Sequence, residues 1–280
     1  EFLFLFYRKR TASFLANIYK AGITGTSKDI HRARLDVKKI IAILDLLRIL
    51  RSKGEKDPGY ERIFQKLYHA SGNIREIQVN QLLLTRPEFS STDLSLFNLD
   101  LLQQEKERTR EFLHAIRKFD EKKLAKAEDG IRKAVFEITP RTLQKKTNRY
   151  IRVKMEVLGK LFEKGHDEKG LHKVRQHLKE LSTILTLVFS VKPSRKIEQA
   201  IDGLNKTEMM IGNWHDKVVL ADSLEKFLDR TGDQDESQLA PIRDFHVKLK
   251  EENHAQIESM IAEIKRVIEA GFPREESENI

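Results

Sequence analysis

The sequence contains no cysteine, which excludes disulfides, thiolate nucleophiles and cysteine metal ligands. That usage is compatible with a reducing cytoplasm, and a cytoplasmic location is the expectation. Only six prolines and thirteen glycines punctuate 280 residues, too few for a loop-rich or all-β chain. Long apolar runs are missing too. The opening Phe2-Leu3-Phe4-Leu5-Phe6 is too short to span a bilayer and precedes its basic residues instead of following them, so it reads as the apolar start of a helix. No glycine-rich phosphate loop, nucleophile motif or metal-ligand spacing is present, so no catalysis, cofactor or metal is expected. His69, His114, His166, His177, His246 and His254 show no paired spacing. Glu105-Lys106-Glu107-Arg108 alternates acid and base, but inside a helical pattern, where adjacent acids diverge.

What the chain has is charge and helical period. Residues 1–140 carry 27 basic and 19 acidic side chains, 141–200 carry 15 and 6, and 201–280 carry 10 and 18. A cationic body with an acidic final segment points to a polyanionic partner met by chosen faces rather than by a sticky tail. Apolar residues recur at three and four, which predicts helices over about 2–20, 28–51, 60–85, 92–118, 121–137, 140–164, 168–190, 194–230 and 237–270. Thr139-Pro140 reads as a cap followed by proline in the first turn, and Asp167-Glu168 places acid at a helix start. Breaks are expected at Gly22–Gly25, Gly54–Gly59, Arg86-Pro87, Gly165-His166 and Thr231–Gln234.

The least ordinary polar residues occur twice. His31-Arg32-Ala33-Arg34, with Lys38 after it, recurs 141 residues later as His172-Lys173-Val174-Arg175, with Lys179 after it. Gly72-Asn73-Ile74-Arg75-Glu76 recurs 140 residues later as Gly212-Asn213-Trp214-His215-Asp216. Two independent motifs at nearly one spacing argue for a duplicated unit, with halves at 1–138 and 139–280 and the segment 121–137 bridging them. In the first copy Val37, Ile40, Ile41, Leu44 and Leu47 form the core stripe. His31, Arg34 and Lys38 fall within about 60° of one another on the opposite side. In the second, His172, Arg175 and Lys179 oppose Val174, Leu178, Leu181, Leu185 and Val188.

A further basic face lies on the helix before the second copy. Arg141, Lys145, Arg149 and Arg152 recur at four, four and three, with no acid interleaved until Glu156, and Arg149 maps back to Arg8. Clustered like charges repel unless an anion compensates them, so this stripe points to binding more strongly than net charge does.

These residues resemble the CHAD domain (conserved histidine α-helical domain) over essentially the whole chain. The resemblance rests on His31, Arg34, Lys38 and Lys39, then Gly72, Arg75 and Glu76, and again on His172, Arg175 and Lys179, then Gly212, His215 and Asp216. It implies an all-α fold of two antiparallel four-helix bundles about a pseudo-twofold axis. It also implies a basic channel that binds inorganic polyphosphate without catalysis, in the cytoplasm and at polyphosphate granules. Departures are Glu180 where a second basic residue is usual, Glu76 for aspartate, and Ile41 and Ser182 where a further arginine is common.

His31 and His172 lead the basic faces, so they either donate to phosphate or orient and cap their helix starts. The second motif reads as structural: Asn73-x-x-Glu76 and Asn213-x-x-Asp216 resemble capping boxes after a helix-breaking glycine, with Arg75–Glu76 and His215–Asp216 as candidate pairs. A nucleic-acid binder and a helical interaction scaffold remain alternatives to polyphosphate. Few aromatics interrupt the basic faces, which disfavours single-stranded nucleic acid.

Overall fold

Helical periodicity carries through to the structure, a computed structural model that describes residues 2–50, 58–89, 92–164, 167–191, 193–232 and 236–270. Among these are ten α-helices and no strand: α1 (Phe2–Thr24), α2 (Ser27–Leu50), α3 (Arg62–Leu84), α4 (Ser95–Arg117), α5 (Glu121–Phe136), α6 (Pro140–Lys164), α7 (Glu168–Val191), α8 (Arg195–Thr231), α9 (Glu236–Ala255) and α10 (Ile257–Ala270). The all-α expectation holds. The breaks expected at Gly54 and at Gly165-His166 lie outside the described residues.

Helix ends follow local chemistry. Thr139 caps α6 by accepting the Thr142 N–H at 3.1 Å, and Asp167 caps α7 by accepting the Gly170 N–H at 2.8 Å. α1 runs through Gly22 and stops only at Gly25, whose φ of +60° a side chain would resist. The helix expected at 237–270 is interrupted at Gln256, giving α9 and α10.

The chain divides into two compact units that cut across the halves expected on either side of Thr139. The first takes α1, most of α2, α3, α4 and α5, together with Asp216–His254 from the end of α8 and from α9. The reason is a shared core: Ile77, Leu83, Phe97 and Leu101 pack with Leu220, Leu224, Phe227, Leu239, Ile242, Phe245 and Leu249. Phe14 meets the rings of Phe64 and Phe119 edge-on, at 5.4 Å each, elsewhere in that unit. Also in it, α2 is pinned to α1 by Asp36, which accepts from Ser13 and Asn17. The second unit is built from the last turns of α2, from α6 and α7, from α8 up to His215, and from α10, which packs on α6.

Candidate functional site

The first motif is assembled where α2 lies on α3. Gly72 sits in the middle of α3, not at its end, so the capping-box reading of Asn73 and Glu76 is corrected: the helix runs straight through. The glycine serves a different purpose. A Cβ at residue 72 would lie 3.1 Å from Nη1 of Arg34, because the guanidinium rests on the bare backbone there. Nη1 donates to the Tyr68 carbonyl at 2.7 Å, and the guanidinium carbon stands 4.2 Å from the centre of the Tyr68 ring. A helical carbonyl has a second lone pair, and the residue four positions on, having no side chain, leaves it open to Arg34.

Arg34 is therefore half-buried and packed, not displayed on a solvent face opposite the core. No carboxylate among the described residues pairs with it. Burial lowers its pKa from the usual arginine value, and the Arg75 charge adds to that effect. His31 stands among Arg75, Lys38 and Arg34; burial first, and then those three cations, lower its pKa from the usual imidazole value. Its Nδ1 is enclosed without a partner among the described residues. Lys38 and Lys39 are exposed on α2. Arg75 faces this group and does not pair with Glu76, which is exposed: consecutive residues on one helix point about 100° apart.

The α7–α8 arrangement in the second unit repeats the seat with Glu208 in the place of Tyr68 and His215 in the place of Arg75. Gly212 lies inside the 37-residue α8, and a Cβ there would come within 3.1 Å of Nη2 of Arg175. The residue one turn before it is Glu208, at the 140-residue offset from Tyr68. A Glu208 oxygen lies 2.9 Å from Lys179 Nζ and 3.2 Å from Arg175 Nε. The Arg175 contact is an ion pair by distance, without hydrogen-bond alignment, and Nε keeps an unused donor.

His215 turns toward α7, its ring centre 4.8 Å from that of His172. Burial, then Arg175, His172 and Lys179, push its pKa down to about 4. His172 is lowered too, by burial and by Arg175 and Lys179. The Gln176 amide nitrogen is 2.9 Å from His172 Nε2. With that amide donating, the ring carries its proton on Nδ1, which is enclosed without a partner. Asp216 is half-buried one residue further along α8, and falls on the other side of the division between the units.

The other predicted residues are placed unevenly. Arg141, Lys145, Arg149 and Arg152 are all exposed on α6, with no pairing partner among the described residues. Their stripe is not the face α6 turns to α7. That contact is made by Lys154, which pairs with Glu180 and lies 3.3 Å from His177 Nδ1, and by Tyr150. Arg8, assigned to the binding group by its offset from Arg149, pairs with Glu128 on α5 at 3.1 Å. Glu105 accepts from the amides of Gln78 and Gln81, a structural role. Among the described residues no group of three His, Asp or Glu is placed to hold a metal, and no helix is long and apolar enough to cross a membrane.

No family model matches the sequence, and no curated protein matches it. Among solved structures, the CHAD domain from the plant Ricinus communis superposes with a TM-score of 0.73 at 13% identity, over 93% of this chain and 89% of that one. The fold is CHAD-like. At that identity the similarity carries the helix arrangement alone, so the site rests on the residues described above. Within the CHAD-like fold, sequence periodicity located both histidine-led helices but missed Tyr68 and Glu208, the residues that set the charge of each cluster.

Proposed function

We propose that the protein binds inorganic polyphosphate non-catalytically, through the cations of the α2–α3 cluster and the α6 stripe. The observation that carries this reading is the half-buried Arg34 with Arg75 and His31 beside it. A carbonyl and a ring partly compensate Arg34, but the described residues offer it no carboxylate. Such a group is electrostatically incomplete. Its mutual repulsion is relieved when an anion arrives, and arginine meets phosphate oxygens with paired donors in a fixed geometry. A linear chain with one charge per phosphate also suits the α6 stripe, where four exposed cations recur along one face and each neutralised phosphate releases counterions.

Two features favour polyphosphate over nucleic acid. The Tyr68 ring has the Arg34 guanidinium on one face, where a base would otherwise stack. No arrangement for reading base edges is needed to account for the cations. Cytoplasmic action at polyphosphate granules belongs to the same reading. The test is competition: labelled long-chain polyphosphate bound to the protein is displaced by unlabelled polyphosphate and, separately, by duplex DNA at equal total charge. The expected result is displacement by polyphosphate at a concentration at least about tenfold lower. Equal displacement by DNA would make the site a generic polyanion surface.

A further inference from the structure

The two histidine motifs share a scaffold and differ in the charge of their partners, with Arg75 of the first replaced by His215 in the second. In the α2–α3 cluster the residue one turn before the glycine is Tyr68, which offers Arg34 a ring and a carbonyl and no charge. In the α7–α8 cluster the same place holds Glu208, whose carboxylate lies against both Arg175 and Lys179. A second exchange has the same sense. Lys39 is exposed on α2, whereas Glu180, at the 141-residue offset, carries a negative charge and is engaged by Lys154.

We propose that Glu208 is an internal counter-anion that holds the α7–α8 cluster closed to polyphosphate, so that the α2–α3 cluster is the anion seat and its second copy is occupied by its own carboxylate. This rests on the polyphosphate reading above and adds to it a residue that sets how many phosphates the protein engages. The carboxylate supplies what a phosphate oxygen would supply to Arg175 and Lys179, a negative oxygen at ion-pair distance. It is tethered to the protein, so a free polyanion must displace it and leave it beside its own charge. Its environment is otherwise set up for an anion. The His172 and His215 rings lie together, each with an enclosed Nδ1 that has no partner among the described residues. Burial first, and then Arg175, His172 and Lys179, keep the His215 pKa low.

The experiment is calorimetric titration of long-chain polyphosphate into the wild-type chain and Glu208→Gln over a salt series. Glutamine keeps the shape and removes the charge. The proposal expects tighter binding by about three- to thirty-fold and a log K against log salt slope steeper by about one to two, as Arg175 and Lys179 become free to neutralise phosphates. The reciprocal variant Tyr68→Glu installs a carboxylate beside Arg34, and is expected to weaken binding by about tenfold or more with a shallower slope. Circular dichroism and thermal melting verify that both variants fold. If the wild type binds and Glu208→Gln leaves affinity and slope unchanged, the internal counter-anion is refuted while the polyphosphate reading stands. The same follows if Glu208→Gln fails to fold and Tyr68→Glu binds like the wild type. If neither the wild type nor Glu208→Gln binds, both readings fall.

Discussion

Replacing Gly72 with alanine tests whether that glycine exists to seat Arg34. In an ordinary helix interior the change stabilises by about 0.5–1 kcal/mol, since alanine loses less backbone freedom on folding. Here the new methyl group would stand 3.1 Å from Arg34 Nη1, so the guanidinium must withdraw by about half an ångström to reach ordinary van der Waals separation. Withdrawal stretches the 2.7 Å bond to the Tyr68 carbonyl and shifts the cation from its position 4.2 Å over the ring. A hydrogen bond from a charged donor contributes about 1.5–3 kcal/mol and a cation–π contact about 0.5–2, so losing part of each costs about 1 kcal/mol. The two effects nearly cancel, and Gly72→Ala alone is expected to change stability little or to lower it slightly. In an Arg34→Ala background the obstruction is gone and the same substitution is expected to stabilise by the full amount, about 0.5–1 kcal/mol. Urea unfolding of all four chains, compared at constant m, gives the coupling energy directly. If Gly72→Ala stabilises equally in both backgrounds, Arg34 is not the reason for the glycine.

Removing the α6 stripe as Arg141→Ala/Lys145→Ala/Arg149→Ala/Arg152→Ala is expected to leave helicity intact, because these side chains are exposed and have no pairing partner among the described residues. It is also expected to flatten the salt dependence of polyphosphate binding by about three; an unchanged slope would show that the stripe does not touch the ligand. Polyphosphate binding should strengthen as pH falls from about 7.5 to about 5.5, since an anion in the α2–α3 seat favours the imidazolium form of His31, whose free-protein pKa lies below the usual one. His31→Gln should lose most of that dependence, and an unaltered pH slope would assign the ring a structural role. Without ligand the sign reverses. The unfolded chain protonates His215 near 6.5 and the folded chain only near 4, so stability falls as pH drops through that window. Thermal melts of His215→Gln should show a smaller loss between pH 6.5 and 4 than wild type.

The helices were legible because their apolar spacing and their caps agree: Thr139 and Asp167 both cap where the pattern begins. The histidine-led faces were legible as repeats. What they faced was not, because a basic face opposite a core stripe reads the same whether it meets water or a second helix. Gly72 and Gly212 show the same limit. A glycine followed by asparagine reads as a helix end, and only the position of an arginine on another helix reveals it as a seat. The division of the chain was hidden for a related reason. Leu220, Leu224 and Phe227 are apolar whichever core they enter, and the choice of α3 and α4 as neighbours is made by tertiary packing. The contrast between Tyr68 and Glu208 does lie in the sequence, in a difference between the copies and not in their shared motif.

The central claim is that Arg34 and Arg75, which pair with no carboxylate among the described residues, bind polyphosphate. Titration of long-chain polyphosphate at pH 7.5 across a salt series, into wild type and into Arg34→Gln/Arg75→Gln confirmed as folded by circular dichroism, tests it most directly. The account predicts that wild type binds with an affinity falling linearly in log salt. It predicts that the double variant binds at least about tenfold more weakly, with a slope shallower by about one and a half to two. Absence of wild-type binding, or equal affinity and slope in the two proteins, would contradict it.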